Sequence, residues 1–282
     1  MTTVPVDEAR IIGVWGLAGR TVAVAGGSSG IGAAVVQLAA EDGADVICLA
    51  RRPSAVPGVR HLPLDLRDAR SIRTVADHLS AEKVDVLAVC SGAGSASDPL
   101  EVLTVNFLGA RALVDSVCDQ MDPGGAVVVV SSQADVRHPD DDELLARLLA
   151  TTDIEAGRAL AASEPRIPKL AYPFSKAALR RYTTLRAPEL MRRGIRLNCV
   201  SPNVTDTPMV ESLKRNRPEA LEVWMPCIGR LATPMEPANA IVFVASPRAS
   251  YIAGINLSVD GAAVAAMETG AAERPVPPPP TS

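Results

Sequence analysis

The stretch from residue 21 to residue 41 constrains this chain more than any other. Thr21-Val-Ala-Val-Ala25 is a short apolar run suited to a buried strand; Gly26-Gly-Ser-Ser-Gly30-Ile-Gly32 follows directly and opens a helical pattern reaching Glu41. Strand, glycine turn and helix in that order form a cradle for phosphate. Glycine lets the backbone come close, and a helix start carries N–H groups with no partner of their own. Gly26, Ser28, Ser29, Gly30, Ile31 and Gly32 are therefore read as nucleotide-binding. The same letters fit Gly-x-Ser-x-Gly, the nucleophile turn of a serine hydrolase. That reading needs an acid and then a histidine late in the chain, whereas the three histidines, His61, His78 and His138, lie in the first half.

The strand and helix pattern repeats at short spacing. Ala44 to Ala50, Val59 to Leu64, Val84 to Cys90 and Ala126 to Val130 read as further strands, with helices over about 68–79 and 99–121 between them. This order describes an α/β fold: a single Rossmann-like, doubly wound parallel sheet with helices on both faces. Ligands of such sheets lie at the carboxyl ends of the strands. Ser91-Gly92 and Ser131-Ser132 fall there, and Gly92 permits close backbone approach beside the first glycine turn. Where an NAD-selective unit places Asp or Glu after its second strand, this chain has Ala50 and then Arg51-Arg52. A guanidinium suits a 2′-phosphate instead, so NADP(H) is the preferred cofactor and NAD(H) the alternative.

Composition excludes several classes. With 28 basic against 32 acidic residues the net charge is −4, which gives no electrostatic case for nucleic acid or an anionic membrane. The mean hydropathy of +0.17 fits a globular core, and no run of about 18 apolar residues is present to span a bilayer. Five scattered cysteines form neither a CxxC pair nor a cluster with histidine, so a metal site is not expected and reduced core thiols are. Without a leader pattern, a cytoplasmic protein is the expectation.

Tyr172 and Lys176 are four residues apart at the start of a helix expected to run to about Arg193. That spacing puts a phenol and an ammonium on one face. A nearby positive charge favours phenolate, which would make Tyr172 a usable acid or base.

Taken together, the motifs from about Leu17 to Gly261 resemble the classical short-chain dehydrogenase/reductase family. The glycine pattern is matched by Ala25 to Gly32. The resemblance places the family's catalytic tetrad on Asn106, Ser132, Tyr172 and Lys176, and its adenine-side acid on Asp65 next to Leu66. It also implies cofactor contacts at Arg51, Gly92, Tyr172, Lys176, Pro202, Val204 and Thr207. A long insertion, about 135–168, separates Ser132 from Tyr172, with Asp140 to Glu143 at its helical start. Together with Val89-Cys90-Ser91-Gly92 in place of Asn-Asn-Ala-Gly, it most resembles the 3α-hydroxysteroid dehydrogenase/carbonyl reductase branch. Other departures are Ala25 for threonine, Asn203 for the glycine after Pro202, and Ala262 for a terminal glycine. Asparagine there is expected to keep a left-handed turn.

The resemblance implies hydride transfer between NADP(H) and an apolar alcohol or ketone, a lid over about 207–226, and a homodimer or homotetramer. A silent NADP-binding sensor is the alternative. Residues 1–17 are expected to be an arm, 18–262 the Rossmann domain, and 263–282, ending in a proline run, a disordered tail.

Overall fold

A computed structural model of the chain describes residues 13–137, 143–216, 219–222, 224–225 and 227–272. The acids at 140–142, the arm before residue 13 and the proline run of the tail lie outside the described residues.

Seven strands form one parallel sheet: β1 (Thr21–Ala25), β2 (Asp45–Leu49), β3 (Arg60–Leu62), β4 (Val86–Val89), β5 (Ala126–Val130), β6 (Arg196–Pro202) and β7 (Asn256–Val259). Their order is β3-β2-β1-β4-β5-β6-β7, so the chain reverses direction across the sheet between β1 and β4. That switch point opens a crevice at the strands' carboxyl ends. Valine, alanine, leucine and cysteine dominate the inner strands, and β4 and β5 are buried on both faces, as continuous apolar runs in a parallel sheet must be.

One face carries α1 (Gly30–Glu41) and α10 (Met235–Ala245), which pack together. The other carries α2 (Ala69–Ala81), α3 (Pro99–Leu103), α4 (Ala110–Cys118) and α7 (Ile167–Arg192) around Phe107, Leu108 and Phe174. The helix expected as continuous over 99–121 is divided between α3 and α4 by a wider π turn, Thr104–Gly109. Gly109 faces the Leu66 backbone there, and a Cβ would collide with the Leu66 carbonyl.

Two expectations are corrected at helix ends. Tyr172 is not in an opening turn: α7 starts at Ile167, with Pro168 in its first turn, and passes through Pro173. Either proline could have marked the start; burial of Ile167 and Ala171 favours the earlier one. Nor does disorder begin at 263. Ala263–Glu268 forms α11, capped by the Asp260 carboxylate, and Ala263 and Met267 pack on Trp224. Ala262 meets that turn with φ +68, a left-handed conformation costing about 1 kcal/mol for a residue with a Cβ.

The insertion forms α5 (Glu143–Leu149) and α6 (Ile154–Ser163). Leu144, Leu145 and Leu148 enter the core beside α7, and Asp153 caps α6 by accepting from the Ala156 N–H at 2.8 Å. Gly157 lies against Leu108, leaving no room for a side chain. Arg111, stacked over Phe107, donates to the Leu149 carbonyl and to Thr151 Oγ1, tying the insertion to α4. The insertion therefore extends the core.

Of the arm, residues 13–17 are docked. The Asp42 carboxylate accepts from the Trp15 and Leu17 N–H groups, and Arg248 donates to the Val14 carbonyl.

Candidate active site

Three chain reversals meet at the switch point. The first is the β1–α1 turn. Gly26 has φ +82, and a Cβ on it would lie 2.7 Å from the Ser91 nitrogen; one on Gly32 would collide with the Gly26 carbonyl oxygen. Only glycines allow the two turns this approach. Ser29 caps α1 with its backbone and makes no side-chain cap bond, and no acid occupies the first turn. The amides of Gly30, Ile31 and Gly32 thus begin a helix whose positive end is uncovered.

The second reversal follows β4. A Cβ on Gly92 would fall 3.4 Å from Asn106 Oδ1, 3.5 Å from Met209 Cε and 3.9 Å from Lys176 Nζ, so Gly92 sits at the middle of the crevice. The third follows β6, where Pro202 is buried at the strand end and Thr207 lies against Gly30. A narrow cleft lined by glycine backbone, with an uncovered helix start at one end and a lysine at the other, fits an extended dinucleotide with a central diphosphate.

The candidate catalytic residues converge on this cleft. Ser132 follows β5, and its hydroxyl stands close enough to that of Tyr172 to favour the phenolate. Ser132 Oγ also accepts from the Ala134 N–H at 3.2 Å. On α7, Lys176 Nζ stands 5.8 Å from the centre of the Tyr172 ring and donates to the Val130 carbonyl at 2.9 Å. Ser131 Oγ in turn donates to the Lys176 carbonyl. β5 and α7 are thus pinned together at the residues that matter. In the π turn, Asn106 accepts from the Ala93 N–H at 2.7 Å and donates to the Ala93 carbonyl and to Ser175 Oγ. It braces the loop that carries Gly92.

The electrostatics differ from the expected effect of Lys176 on Tyr172. Burial pushes the phenol above its ordinary range, and the neighbouring Ser132 hydroxyl only partly offsets it. Burial pushes Lys176 down to about 8. Desolvation therefore outweighs the ammonium's pull on the phenol across this separation.

The other predicted cofactor residues lie elsewhere along the crevice. Arg51 and Arg52 are exposed beyond β2. Asp65 follows β3, and its carboxylate is held by the Arg67 guanidinium at 2.6 Å, which lowers its pKa; Leu66 beside it is buried. Val204 packs with Trp224, Ala263, Met267 and Ala134, a small separate core under the segment expected as a lid. That segment contains the short helices α8 (Glu211–Asn216) and α9 (Glu219–Glu222). Asn203 is not left-handed. Its side-chain amide donates to the carbonyls of Trp224 and Asp260, so it joins the segment around Trp224 to the C-terminal turn where a glycine could not.

Sequence reasoning missed the ion pair between Asp135 and Arg180 at 2.7 Å. The only available signal was spacing, since Arg180 lies four residues beyond Lys176. Among the described residues, no group of histidine, cysteine, aspartate and glutamate could hold a metal ion, and no helix is long and apolar enough to cross a membrane.

Comparison with known proteins agrees with this geometry. The family model described as enoyl-(acyl carrier protein) reductase matches residues 25–262. A coniferyl-alcohol dehydrogenase of Pseudomonas sp. is 31% identical over 247 residues, covering 87% of this chain and 96% of the relative. The 3α-hydroxysteroid dehydrogenase/carbonyl reductase of Comamonas testosteroni is 31% identical over 264 residues, covering 87% and 97%. The chain belongs to the short-chain dehydrogenase/reductase family. It is an oxidoreductase, and the hydrolase reading of Gly26 to Gly30 falls away. Among solved structures, the family's 3α-hydroxysteroid dehydrogenase from Pseudomonas sp. B-0831, complexed with NADH, superposes with TM-score 0.78 at 29% identity, covering 88% of this chain and 98% of that one.

Proposed function

We propose that this enzyme interconverts a secondary alcohol and a ketone on an apolar, cyclic substrate such as a hydroxysteroid, a terpenoid or a related carbonyl compound, with NADP(H). The observation that carries this reading is that the Ser132 hydroxyl meets the Tyr172 phenol while Tyr172 and Lys176 share one face of α7, at a cleft floored by Gly92. The substrates in the relatives' names, coniferyl alcohol and a 3α-hydroxysteroid, support the apolar substrate class.

The turn Gly26, Ser28, Ser29, Gly30, Ile31 and Gly32 would hold the diphosphate, with Asp65 and Leu66 at the adenine. Arg51 would hold the 2′-phosphate, and this is what supports NADP(H) over NAD(H). Gly92, Pro202, Val204, Thr207, Tyr172 and Lys176 would border the nicotinamide half. When bound, the nicotinamide supplies or accepts a hydride.

Ser132 and Tyr172 orient a carbonyl oxygen by donating hydrogen bonds to it. Because burial keeps Tyr172 protonated at neutral pH, its hydroxyl is ready to give a proton in the reductive direction. Oxidation requires the phenolate, so that direction gains with rising pH. Asn106 holds the Gly92 loop in register, and a water it orders would link Lys176 to solvent. The domain over residues 18–262, a homodimer or homotetramer and a cytoplasmic location complete the proposal.

The test is titration of wild type and Tyr172→Phe with NADPH and NADH, followed by nicotinamide absorbance with steroid and monocyclic ketones. Tighter binding of NADPH by both proteins, with turnover lost only in the variant, is expected. Full turnover in Tyr172→Phe refutes the mechanism, and nucleotide binding without turnover in wild type across the panel favours a sensor.

A further inference from the structure

Beside the proposed reacting groups lies an ion pair between a buried carboxylate and a partly exposed guanidinium. Asp135 occupies the 3₁₀ turn Gln133–Arg137 that follows Ser132, and its side chain is 3% exposed. Its Oδ2 accepts from Arg180 Nε at 2.7 Å. Arg180 stands four residues after Lys176 and eight after Tyr172, so the three share one face of α7. The 3₁₀ turn is also tied to Ser132 and to the sheet. The Asp135 N–H donates to the Ser132 carbonyl at 3.2 Å, the Ala134 N–H to Ser132 Oγ at 3.2 Å, and Gln133 Nε2 to the Ser201 carbonyl at 3.1 Å. Moving Asp135 therefore moves Ser132 relative to Tyr172.

A buried ion pair is a weak source of stability, because taking two charges out of water costs about as much as their attraction returns; apolar side chains of similar volume would brace the turn as well. What an apolar pair cannot supply is charge. A carboxylate this shielded acts on its surroundings with little screening. The Asp135 charge reaches both groups: it favours the protonated form of Tyr172, which also has the Ser132 hydroxyl beside it, and of Lys176, which also feels the Cys90 thiol after β4 and the Cys199 thiol of β6. Among the described residues, Asp135 is a fixed charge that acts on both reacting groups, and Arg180 is a counter-charge on it from α7. Its sign is the same on each: negative charge favours the neutral phenol and the charged ammonium.

We propose that Asp135 and Arg180 form a positioning pair, which locks the Ser132 turn against α7 and supplies the fixed charge faced by both Tyr172 and Lys176. The pair acts through those residues. This inference rests on the reading of Ser132, Tyr172 and Lys176 as the reacting set.

The experiment follows Lys176 directly, in the enzyme alone. The chain has four lysines, Lys83, Lys169, Lys176 and Lys214. In protein labelled with ¹³C at the lysine Cε, the Lys176 signal is identified by its loss in Lys176→Arg and titrated against pH. Asp135→Asn is expected to lower the Lys176 midpoint and Arg180→Met to raise it, each by about 3-fold in proton affinity, or roughly half a pH unit. The double variant should return towards wild type. A purely structural brace would lower the thermal midpoint in all three variants and leave the Lys176 titration unmoved, and that result overturns the proposal. If Asp135→Asn does not fold, Arg180→Met and the double variant decide the same question. Loss of turnover in Tyr172→Phe with unmoved Lys176 midpoints sinks this inference alone; shifted midpoints with full turnover in Tyr172→Phe overturn the catalytic reading beneath it.

Discussion

Replacing Asn106 by alanine separates a structural brace from a water relay, because only the brace contributes to stability. Three hydrogen bonds leave with the amide: from the Ala93 N–H at 2.7 Å, to the Ala93 carbonyl at 3.1 Å and to Ser175 Oγ at 3.2 Å. Each is worth about 1 kcal/mol net, and an Ala93 group left without a partner costs more. Alanine returns about half a kcal/mol as the better helix former. The net loss is therefore about 2–3 kcal/mol, which lowers Tm by roughly 5–10 °C in a domain of this size. Calorimetry gives Tm, and hydrogen exchange at the Ala93 amide reports the loop itself, where protection should fall. Asn106→Asp still accepts from the Ala93 N–H but cannot donate, so it should recover part of the protection. A Tm within about 1 °C of wild type and unchanged exchange at Ala93 would refute the brace and leave Asn106 with a solvent-relay role only.

Two further outcomes follow from the geometry. Lys176 is pushed from 10.5 in the unfolded chain down to about 8 in the folded one, so between these values the unfolded state binds the extra proton and stability rises with pH. The rise is on the order of 3 kcal/mol across that window; urea unfolding from pH 7 to 10 should show it in wild type and not in Lys176→Met, and parallel curves would contradict it. Arg196 is buried and donates to the carbonyls of Val244, Ala245 and Ser246, closing the C-terminal end of α10. Arg196→Met should remove the guanidinium from the Val244 and Ala245 carbonyls, the Ser246 carbonyl keeping the Ala249 N–H, cost about 3–5 kcal/mol and lower Tm by about 10 °C or more, as thermal unfolding would read; a fall under about 3 °C would mean that water replaces the guanidinium.

Much of the fold was legible because its signals are local. Apolar runs such as Val127 to Val130 can be satisfied only inside a parallel sheet, and the spacing of Gly26, Gly30 and Gly32 is meaningful only where a strand turns into a helix against another backbone. The order of Asn106, Ser132, Tyr172 and Lys176 could be read for the same reason, since each residue stands at a recognisable position relative to a strand end or helix. Less was legible where the partner is distant in sequence. That Arg196 caps a helix about fifty residues away, that Asn203 joins Trp224 to the C-terminal turn, and that α11 is held by Trp224 depend on side-chain contacts no local pattern encodes.

The sequence by itself determined the parallel α/β architecture, the glycine turn after β1 and the identity of the candidate residues, because backbone propensity, hydrophobic period and motif order are properties of short segments. Only the tertiary structure decided how these residues behave together. Burial raised Tyr172 and lowered Lys176, the π turn aimed Asn106 at Ala93, and Asp135 met Arg180. Desolvation and pairing are set by what packs around a group, and here the neighbours come from segments 40 to 70 residues away.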